Sequence, residues 1–467
     1  MASEEDTPSI QKQPGTHVAV QTKLDHGKGL EEAVVRIAGG AETGSQRAGV
    51  EKVENEAHQI EDVQVAGAPG PQESTASVSG LEVSVSELSL DNDDGFAADM
   101  TPNRPFGTSK CAVRGSINHD EYFFVDQIAK PGETKASKLH ESRIGGKGAN
   151  QAVAIARAGG LVQFYGTIGK DGVWIKEQLK EHGIDVSAIL VAEKPTGRAI
   201  IQVGDDGENS IILFPGANHS ELHEQQKFSS GRPWFGNATH LLLQNEIHPR
   251  STLHALHEAA NMVTIFNPSP MPPADQIREF PWTKIDWLLV NEGEAEALLR
   301  ILGPPPPLNI RPASISAMST KDIVFCLASH PSFASTNIIC TLGPDGVLAF
   351  VPEFHRPGTK HEAPSFMHLP PAKLEGDFRD TTGAGDCFTG YFVQGLMEFG
   401  PDARPGHHIT ERDLAMLLRK CNLAAGMSVE KPGTIDSIPS RAAVESRLAA
   451  SYAGSPIITG MKGPSGV

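Results

Sequence analysis

Between residues 108 and 450 the chain alternates two kinds of segment, and this alternation narrows the possible folds more than any other feature. Short apolar runs bounded by turn residues recur as "CAVRGSI", "VQFYGTIG", "HLLLQNE", "MVTIFNPS", "DWLLVNE" and "NIICTLG". They read as strands buried on both faces, the habit of parallel sheets. Helical segments such as "NQAVAIARAGG", "DGVWIKEQLKEHG" and "EGEAEALLRILG" stand between them. The repeating strand-helix order predicts an α/β domain with a doubly wound, mostly parallel sheet, whose ligands bind beyond the carboxyl ends of the strands. Two pairs break the rhythm, "EYFFVDQI" with "ETKASKLHESR" and "TGRAIIQVG" with "NSIILFPG". They predict hairpin-like strands forming a small β lid over the active face. The run "GPPPPLNIRPAS" is an inserted loop (303–314) without evident chemistry.

The flanks differ in composition. Residues 1–107 carry 19 Asp/Glu against 7 Lys/Arg, and so −12 of the chain's net charge of −17. Stretches such as "GAPGPQESTASVSG" are low in complexity, so this leader cannot bury enough apolar surface to offset its conformational entropy. It is expected to be a disordered acidic extension, with residues 451–467 a flexible tail. The acidic balance argues against nucleic acid as a partner, since no basic stripe exists to neutralise phosphates. No stretch approaches the 18 or so apolar residues of a membrane span, and no basic-then-apolar signal opens the chain. Cys111, Cys326, Cys340, Cys387 and Cys421 form no CxxC pair and read as reduced core residues. A soluble cytoplasmic protein is expected, with the nucleus open as a second compartment.

Chemistry gathers at five places. "DTTGAGDCFTG" sets Gly383-Ala384-Gly385 before a carboxylate and an apolar helix that begins near Asp386. A Gly-rich loop at a helix N-terminus presents unpaired N–H groups and the positive end of the dipole, an arrangement that attracts phosphate. Asp386 would repel a bound phosphate, but makes sense as the acceptor of a proton from a hydroxyl that attacks it. Such turns also open many helices for structural reasons alone, so the other four places matter. "GSINHD" ends a strand and offers Asn118 and Asp120, short side chains able to bind polyol hydroxyls or simply to close a turn. "GGKGANQA" puts Lys147 and Asn150 before a helix without the spacing of a nucleotide P-loop. "NEGE" places Asn291 and Glu294 one helical turn apart, where they could hold the water shell of Mg2+ or merely face solvent. "TLGPDG", Thr341 to Gly346, leaves a strand by a tight turn that suits an adenine nucleotide and equally any hairpin.

Together, and in order, the five stretches resemble the ribokinase branch of the PfkB-type carbohydrate kinases from about Cys111 to Ser440. "IGGKGANQAVAIARAGG" and "DTTGAGDCFTG" are similar to that family's two signatures, and "KPGET", "FPGANHS", "FNPSP" and "KPGTIDSIPS" to its intervening landmarks. The resemblance implies a ribokinase-like fold and transfer of phosphate from ATP to the terminal 5-hydroxyl of D-ribose. It implies Asp386 as catalytic base, and a sugar site of Asn118, His119, Asp120, Gly146, Lys147, Gly148, Ala149, Asn150 and Glu246. It implies a nucleotide site of Asn291, Thr341, Leu342, Gly343, Pro344, Asp345, Gly346 and Asn422, with Gly383, Ala384, Gly385 and Asp386 at the anion. Glu294 would bind Mg2+ through water, and Asp380, Thr382, Ser428, Lys431, Gly433 and Ser437 would hold K+. A homodimer through the lid is also implied.

Pro432 and Ile435-Asp436 depart from the family's usual "GAQPS" ending, and the acidic leader and Pro-rich insertion have no family counterpart. The alternatives within the fold are kinases of deoxyribose, fructose or nucleosides. "GGKGANQA" favours a free pentose, because Lys147 and Asn150 supply hydroxyl-binding groups where a base pocket would need stacking residues. A different class of reading is a catalytically inactive sugar sensor whose acidic tail binds a partner. Asp386, the Gly-rich loop and the Asn291/Glu294 pair argue against it.

Overall fold

A computed structural model describes residues 109–225, 234–305, 312–356, 365–406 and 408–453. The acidic leader, the centre of the Pro-rich insertion and residues 454–467 lie outside the described residues. The chain opens with β1 (Cys111–Arg114) and leaves the central sheet for β2 (Asn118–Phe124) and β3 (Leu139–Gly145). It returns as β4 (Val162–Tyr165), continues through β5 (Thr167–Gly169) and β6 (Leu190–Ala192), and leaves again for β7 (Gly197–Val203) and β8 (Asn209–Phe214). The other central strands follow as β9 (His240–Gln244), β10 (Val263–Asn267), β11 (Trp287–Asn291), β12 (Asn337–Thr341), β13 (Val347–Phe350) and β14 (Met367–Leu369).

The central sheet has the order β14-β13-β12-β11-β10-β9-β1-β4. Its pairs are parallel from β4 to β12, and β13 and β14 are antiparallel additions at one edge. After β1 the chain builds first towards β4, then returns to the other side of β1 with β9. The winding therefore reverses at β1, and a ligand crevice is expected at the carboxyl ends of the strands beside it. Val113, Leu242, Ile265, Leu289 and Ile339 belong to one buried cluster with side chains of the helices Lys147–Arg157, Ala384–Glu398 and Glu411–Val429. Ala112, Leu241, Phe266, Leu288 and Ile338 belong to a second, with the helices Pro249–Glu258, Glu292–Leu302 and Thr320–Ser329. Alternate residues of each strand thus enter opposite clusters, which is why the strands read as continuous apolar runs.

The two segment pairs that broke the rhythm form a single sheet, β3-β2-β7-β8. Its β2–β3 and β7–β8 pairs are antiparallel and its centre, β2–β7, is parallel. Asn218, 3% exposed, pins the exit from the central sheet: Ile117 N–H donates to its Oδ1 at 2.9 Å, and its amide donates to the Ile117 carbonyl at 3.1 Å and to Asn118 Oδ1 at 2.8 Å.

Four expectations need correction. "VQFYGTIG" breaks at Gly166 into β4 and β5. "GSINHD" does not end a central strand: β1 stops at Arg114, and Asn118 opens the lid strand β2. The helix after the Gly-rich loop begins at Ala384, two residues before Asp386, because Gly383 caps it in the left-handed region at φ 80°. The last helix, Arg441–Ala453, runs past the boundary expected at residue 450.

Candidate active site

Gly383 permits the chain to turn sharply into the helix Ala384–Glu398, since a left-handed φ suits a residue without Cβ. Asp386 is the third helical residue and only 6% exposed. Both oxygens accept hydrogen bonds, from Asn150 Nδ2 at 2.9 Å and from Gln151 Nε2 at 2.8 Å. Gln151 is fixed in turn: its Oε1 accepts from Gln244 Nε2 at 2.6 Å, and its amide also reaches Asn267 Oδ1 at 3.2 Å. Gln151 and Gln244 are completely buried. This amide relay holds the carboxylate in one orientation. Gln151, Gln244 and Asn267 were not expected in the site. A signal was present, in the polar residue beside Asn150 and in polar residues closing the apolar strands "HLLLQ" and "VTIFN".

The lid side of Asp386 is rich in acceptors. β2 alternates, turning Asn118 and Asp120 to one face, both 7% exposed. His119 consequently lies on the opposite face, its ring edge-on to Trp174 at 5.3 Å, which removes its side chain from the sugar group expected of it. Ser116 Oγ donates to Glu246 at 2.5 Å, and Lys147 N–H donates to the same oxygen at 2.8 Å. Gly148 closes this knot, because a Cβ there would lie 2.4 Å from Ser116 N. Gly146, Ala149 and Asn150 complete the turn, with Ala149 N–H donating to the Ser116 carbonyl at 3.0 Å and Asn150 N–H to that of Gly146 at 2.9 Å. Asp120 Oδ1 and Asn150 Oδ1 are buried without a hydrogen-bond partner. Buried acceptors seldom go unsatisfied, so this pair marks a place for hydroxyl donors.

The electrostatics agree. Burial, reinforced by the charges of Glu246 and Asp386, pushes the Asp120 carboxyl up to about 7. Burial also raises Glu246, against the pull of Lys147 and Ser116. The nearby charge of Asp386, aided by Glu246 and Glu294, raises Lys147 and keeps it an ammonium.

On the far side of Asp386 lies a cavity of about 210 Å³ lined by Lys147, Asn267, Asn291, Glu294, Thr341, Gly383 and Gly385, among others. Asn291 and Glu294 border it but are occupied with each other. Glu294 N–H donates to Asn291 Oδ1 at 2.8 Å and Asn291 N–H to Glu294 Oε2 at 3.0 Å, a capping box for the helix Glu292–Leu302. Among the described residues no group of three or more His, Cys, Asp or Glu could hold a metal ion. Hydrated Mg2+ does not require one, since one or two carboxylates with waters and phosphates suffice. Thr341 reaches the cavity. Leu342, Gly343, Pro344, Asp345 and Gly346 form the tight turn from β12 to β13 and are not part of its lining, and neither is Asn422, whose amide donates to the Pro370 carbonyl at 2.8 Å. One of the N–H groups expected at the anion is also engaged, as Ala384 donates to the Thr381 carbonyl at 3.1 Å.

The last group meets around Asp380. Thr382 N–H donates to Asp380 Oδ1 at 2.8 Å and Gly433 N–H to Oδ2 at 3.1 Å, joining the Gly-rich loop to the loop after Glu430. Ser428 and Ser437 are buried and turn their hydroxyls to carbonyls three residues back, Ala425 at 2.7 Å and Thr434 at 2.8 Å. Lys431 is exposed and lends only its N–H, to the Ser428 carbonyl at 3.1 Å. A carboxylate with acceptor capacity beyond two amide bonds, among backbone carbonyls, is a donor set that suits a monovalent cation.

The fold is a doubly wound, mostly parallel α/β sheet with a small β lid, and comparison with known proteins gives the family. Residues 108–441 match the model of the pfkB family of carbohydrate kinases, and the chain belongs to that family. It is 33% identical to the ribokinase of Haemophilus influenzae over 335 residues, 70% of this chain and 95% of that one. Its fold matches the crystal structure of ribokinase from Cryptococcus neoformans var. grubii in complex with ADP, with a TM-score of 0.59, 40% identity, and coverage of 73% of this chain and 99% of that one. It likewise matches Arabidopsis thaliana ribokinase complexed with ribose and ATP, with a TM-score of 0.56, 27% identity, and coverage of 73% and 99%.

Proposed function

We propose that this chain transfers the γ-phosphoryl group of ATP to O5 of D-ribose, releasing ribose 5-phosphate and ADP. The observation that carries the reading is the position of Asp386, between the 210 Å³ cavity and the unsatisfied acceptors of Asp120 and Asn150. A nucleotide on one side and a polyol on the other would meet at that carboxylate. The ligands of the Cryptococcus and Arabidopsis ribokinases, ADP in one and ribose with ATP in the other, are of these two kinds.

Asn118, Asp120, Asn150 and Glu246 would bind the sugar hydroxyls, directing O5 at the γ-phosphorus. As the O5–P bond forms and the bond to the ADP oxygen breaks, the O5 proton passes to Asp386. Asn150 and Gln151 keep that carboxylate pointing at the hydroxyl, and proton transfer need occur only as the bond forms. The N–H groups of Gly383 and Gly385, with the Lys147 ammonium, would meet charge spreading over the transferring oxygens. Glu294 and Asn291 would hold Mg2+ through water, whose charge would neutralise the β- and γ-phosphate oxygens.

The test is ATP consumption across ribose, 2-deoxyribose, fructose and nucleosides. Ribose should have the highest kcat/KM, by at least tenfold as a rough expectation for a site whose polar groups are left unpaired by a missing hydroxyl. A nucleoside preferred over ribose would overturn the substrate assignment while leaving the phosphotransfer chemistry in place.

Asp380, Thr382, Ser428, Lys431, Gly433 and Ser437 would hold K+, which would brace the Gly-rich loop without touching substrate. K+ is expected to raise kcat/KM severalfold over Tris at fixed Mg2+, and Asp380→Ala to erase that difference. Equal rates in the two cations would show that Pro432 and Ile435-Asp436 have closed the site.

The lid supports a homodimer. β8 is an edge strand, and Ile211, Ile212, Leu213 and Phe214 on it are all exposed. An apolar edge of this kind calls for a covering partner. A cytoplasmic setting fits five free, buried cysteines, and no helix among the described residues is long and apolar enough to cross a membrane.

A further inference from the structure

Ser116 follows the end of β1 by two residues and is completely buried. Backbone presses closely on it. A Cβ on Gly148 would lie 2.4 Å from its nitrogen, and a Cβ on Gly115 would lie 2.7 Å from the Gly148 Cα. Its hydroxyl has both roles assigned, as Oγ accepts the Gly148 N–H at 3.2 Å and donates its single proton to Glu246 Oε2 at 2.5 Å. The Lys147 N–H reaches the same Oε2 at 2.8 Å.

Both bonds fall on Oε2 and none on Oε1 among the described residues. An N–H can only donate, so a proton on Oε2 would face a donor. Any proton taken up by Glu246 must therefore sit on Oε1. Asp120, the other carboxyl on the sugar side, lacks such support. Its Oδ1 is buried without a partner, and burial with the charges of Glu246 and Asp386 pushes the group up to about 7. Burial raises Glu246 as well, but the Lys147 charge and the Ser116 hydroxyl oppose it. Donors to a carboxylate favour its charged form, and here they favour charge on Glu246 over charge on Asp120.

We infer that Ser116 is a positioning residue for the sugar: its hydroxyl engages Oε2 of Glu246 and so keeps Oε1 an unprotonated acceptor for sugar hydroxyls. The inference deepens the kinase reading above and rests on it. Without the Ser116 hydroxyl the protonated carboxyl gains ground, and a protonated Oε1 becomes a donor where hydroxyl donors must be received. Ribose affinity should then fall as pH falls. Asp120, Lys147 and Asp386 are the titratable groups around Glu246. They are present in parent and variant alike, so the ratio of the two affinities isolates the effect of Ser116.

The experiment is calorimetric titration of D-ribose into the full chain and its variants, with melting temperatures and steady-state rates alongside. The dissociation constant of Ser116→Ala should be within about threefold of the parent's near pH 8.5. That ratio should grow at least about fivefold by about pH 5.5, since a hydrogen bond to a charged group corresponds to roughly one pKa unit or more. At saturating ribose kcat should stay within about threefold of the parent, because the lost contact acts on sugar binding. Ser116→Cys, with a weaker donor in the same place, should lie between the two and carries the test if the alanine variant does not fold. In a Glu246→Gln background, where nothing titrates at this position, Ser116→Ala should give a ratio independent of pH. A merely structural role would lower the melting temperature and weaken ribose equally at every pH. A ratio flat with pH when Glu246 is present overturns the inference, and so does one that still climbs in the Glu246→Gln background. A parent that neither binds nor phosphorylates ribose refutes the substrate reading itself.

Discussion

Asp386→Asn is expected to fold and bind ribose but to lose about three decades of kcat, within the 10² to 10⁴ that a positioned base typically contributes. An amide matches the carboxylate in shape and cannot accept the proton. The surroundings make the test stringent, because Asn150 and Gln151 present one N–H donor to each carboxylate oxygen. The new amide nitrogen must face one of those donors, a mismatch costing about 1–3 kcal/mol. A melting temperature lowered by a few degrees should therefore accompany the loss of turnover. Activity within tenfold of the parent would remove Asp386 from the role of base. A collapse in ribose affinity would show instead that its main task is to hold the sugar.

Asp120→Asn should weaken the protein's hold on ribose and strengthen the fold at alkaline pH. The native carboxyl titrates at about 7 rather than at its ordinary 3.8, raised first by burial and then by Glu246 and Asp386. The folded state therefore binds a proton that the unfolded state lacks between about pH 4 and pH 7, so stability falls as pH rises through that window and stays low above it. Each unit corresponds to about 1.4 kcal/mol, a liability of a few kcal/mol near pH 8 that the neutral amide lacks. Thermal unfolding near pH 8 should show the variant more stable than the parent, with the gap closing towards about pH 4. Hydroxyl donors that fill Asp120 Oδ1 should relieve the same strain in the parent, so ribose ought to stabilise it most where the pH is high. A hydrogen bond to a charged group contributes about 1.5–3 kcal/mol, so kcat/KM for ribose should fall by roughly a factor of 10 to 150. An unchanged KM for ribose would place Asp120 outside the sugar site.

Much of this architecture could be read from residue order. The continuous apolar runs of β1, β4 and β9 to β12 identify themselves because strands buried on both faces have no polar side to show. The lid hairpins stood out because their polar and apolar residues mix. Other features could not be read from residue order. β13, "VLAF", is as apolar as its parallel neighbours, and its antiparallel direction comes from the short Gly343–Asp345 turn before it. His119 shared a motif with Asn118 and Asp120, and only the alternation of an actual strand puts it on the other face.

The site divides the same way. Asp386 and its glycines are contiguous, so their chemistry is legible in one glance at the sequence. The amides that orient Asp386 are not: Asn150 and Gln151 reach it across 236 and 235 positions, and Gln244 reaches Gln151 across 93. Nothing local specifies such partners. The Asn291/Glu294 pair shows the converse, where a local reading found the spacing and missed its first use, since two polar groups one turn apart at a helix start satisfy each other before any ligand arrives.

The central claim is that a sugar's terminal hydroxymethyl oxygen attacks ATP beside Asp386, and proton-coupled 31P spectra of the product test it most directly. Full-length protein incubated with ATP, Mg2+, K+ and D-ribose should convert the γ-phosphate resonance into a phosphomonoester triplet, split by the two protons on C5. The Asp386→Asn protein should leave the ATP signals unchanged over the same period. A doublet, which places phosphate on a carbon bearing a single proton, or release of inorganic phosphate without a sugar ester, would contradict the account.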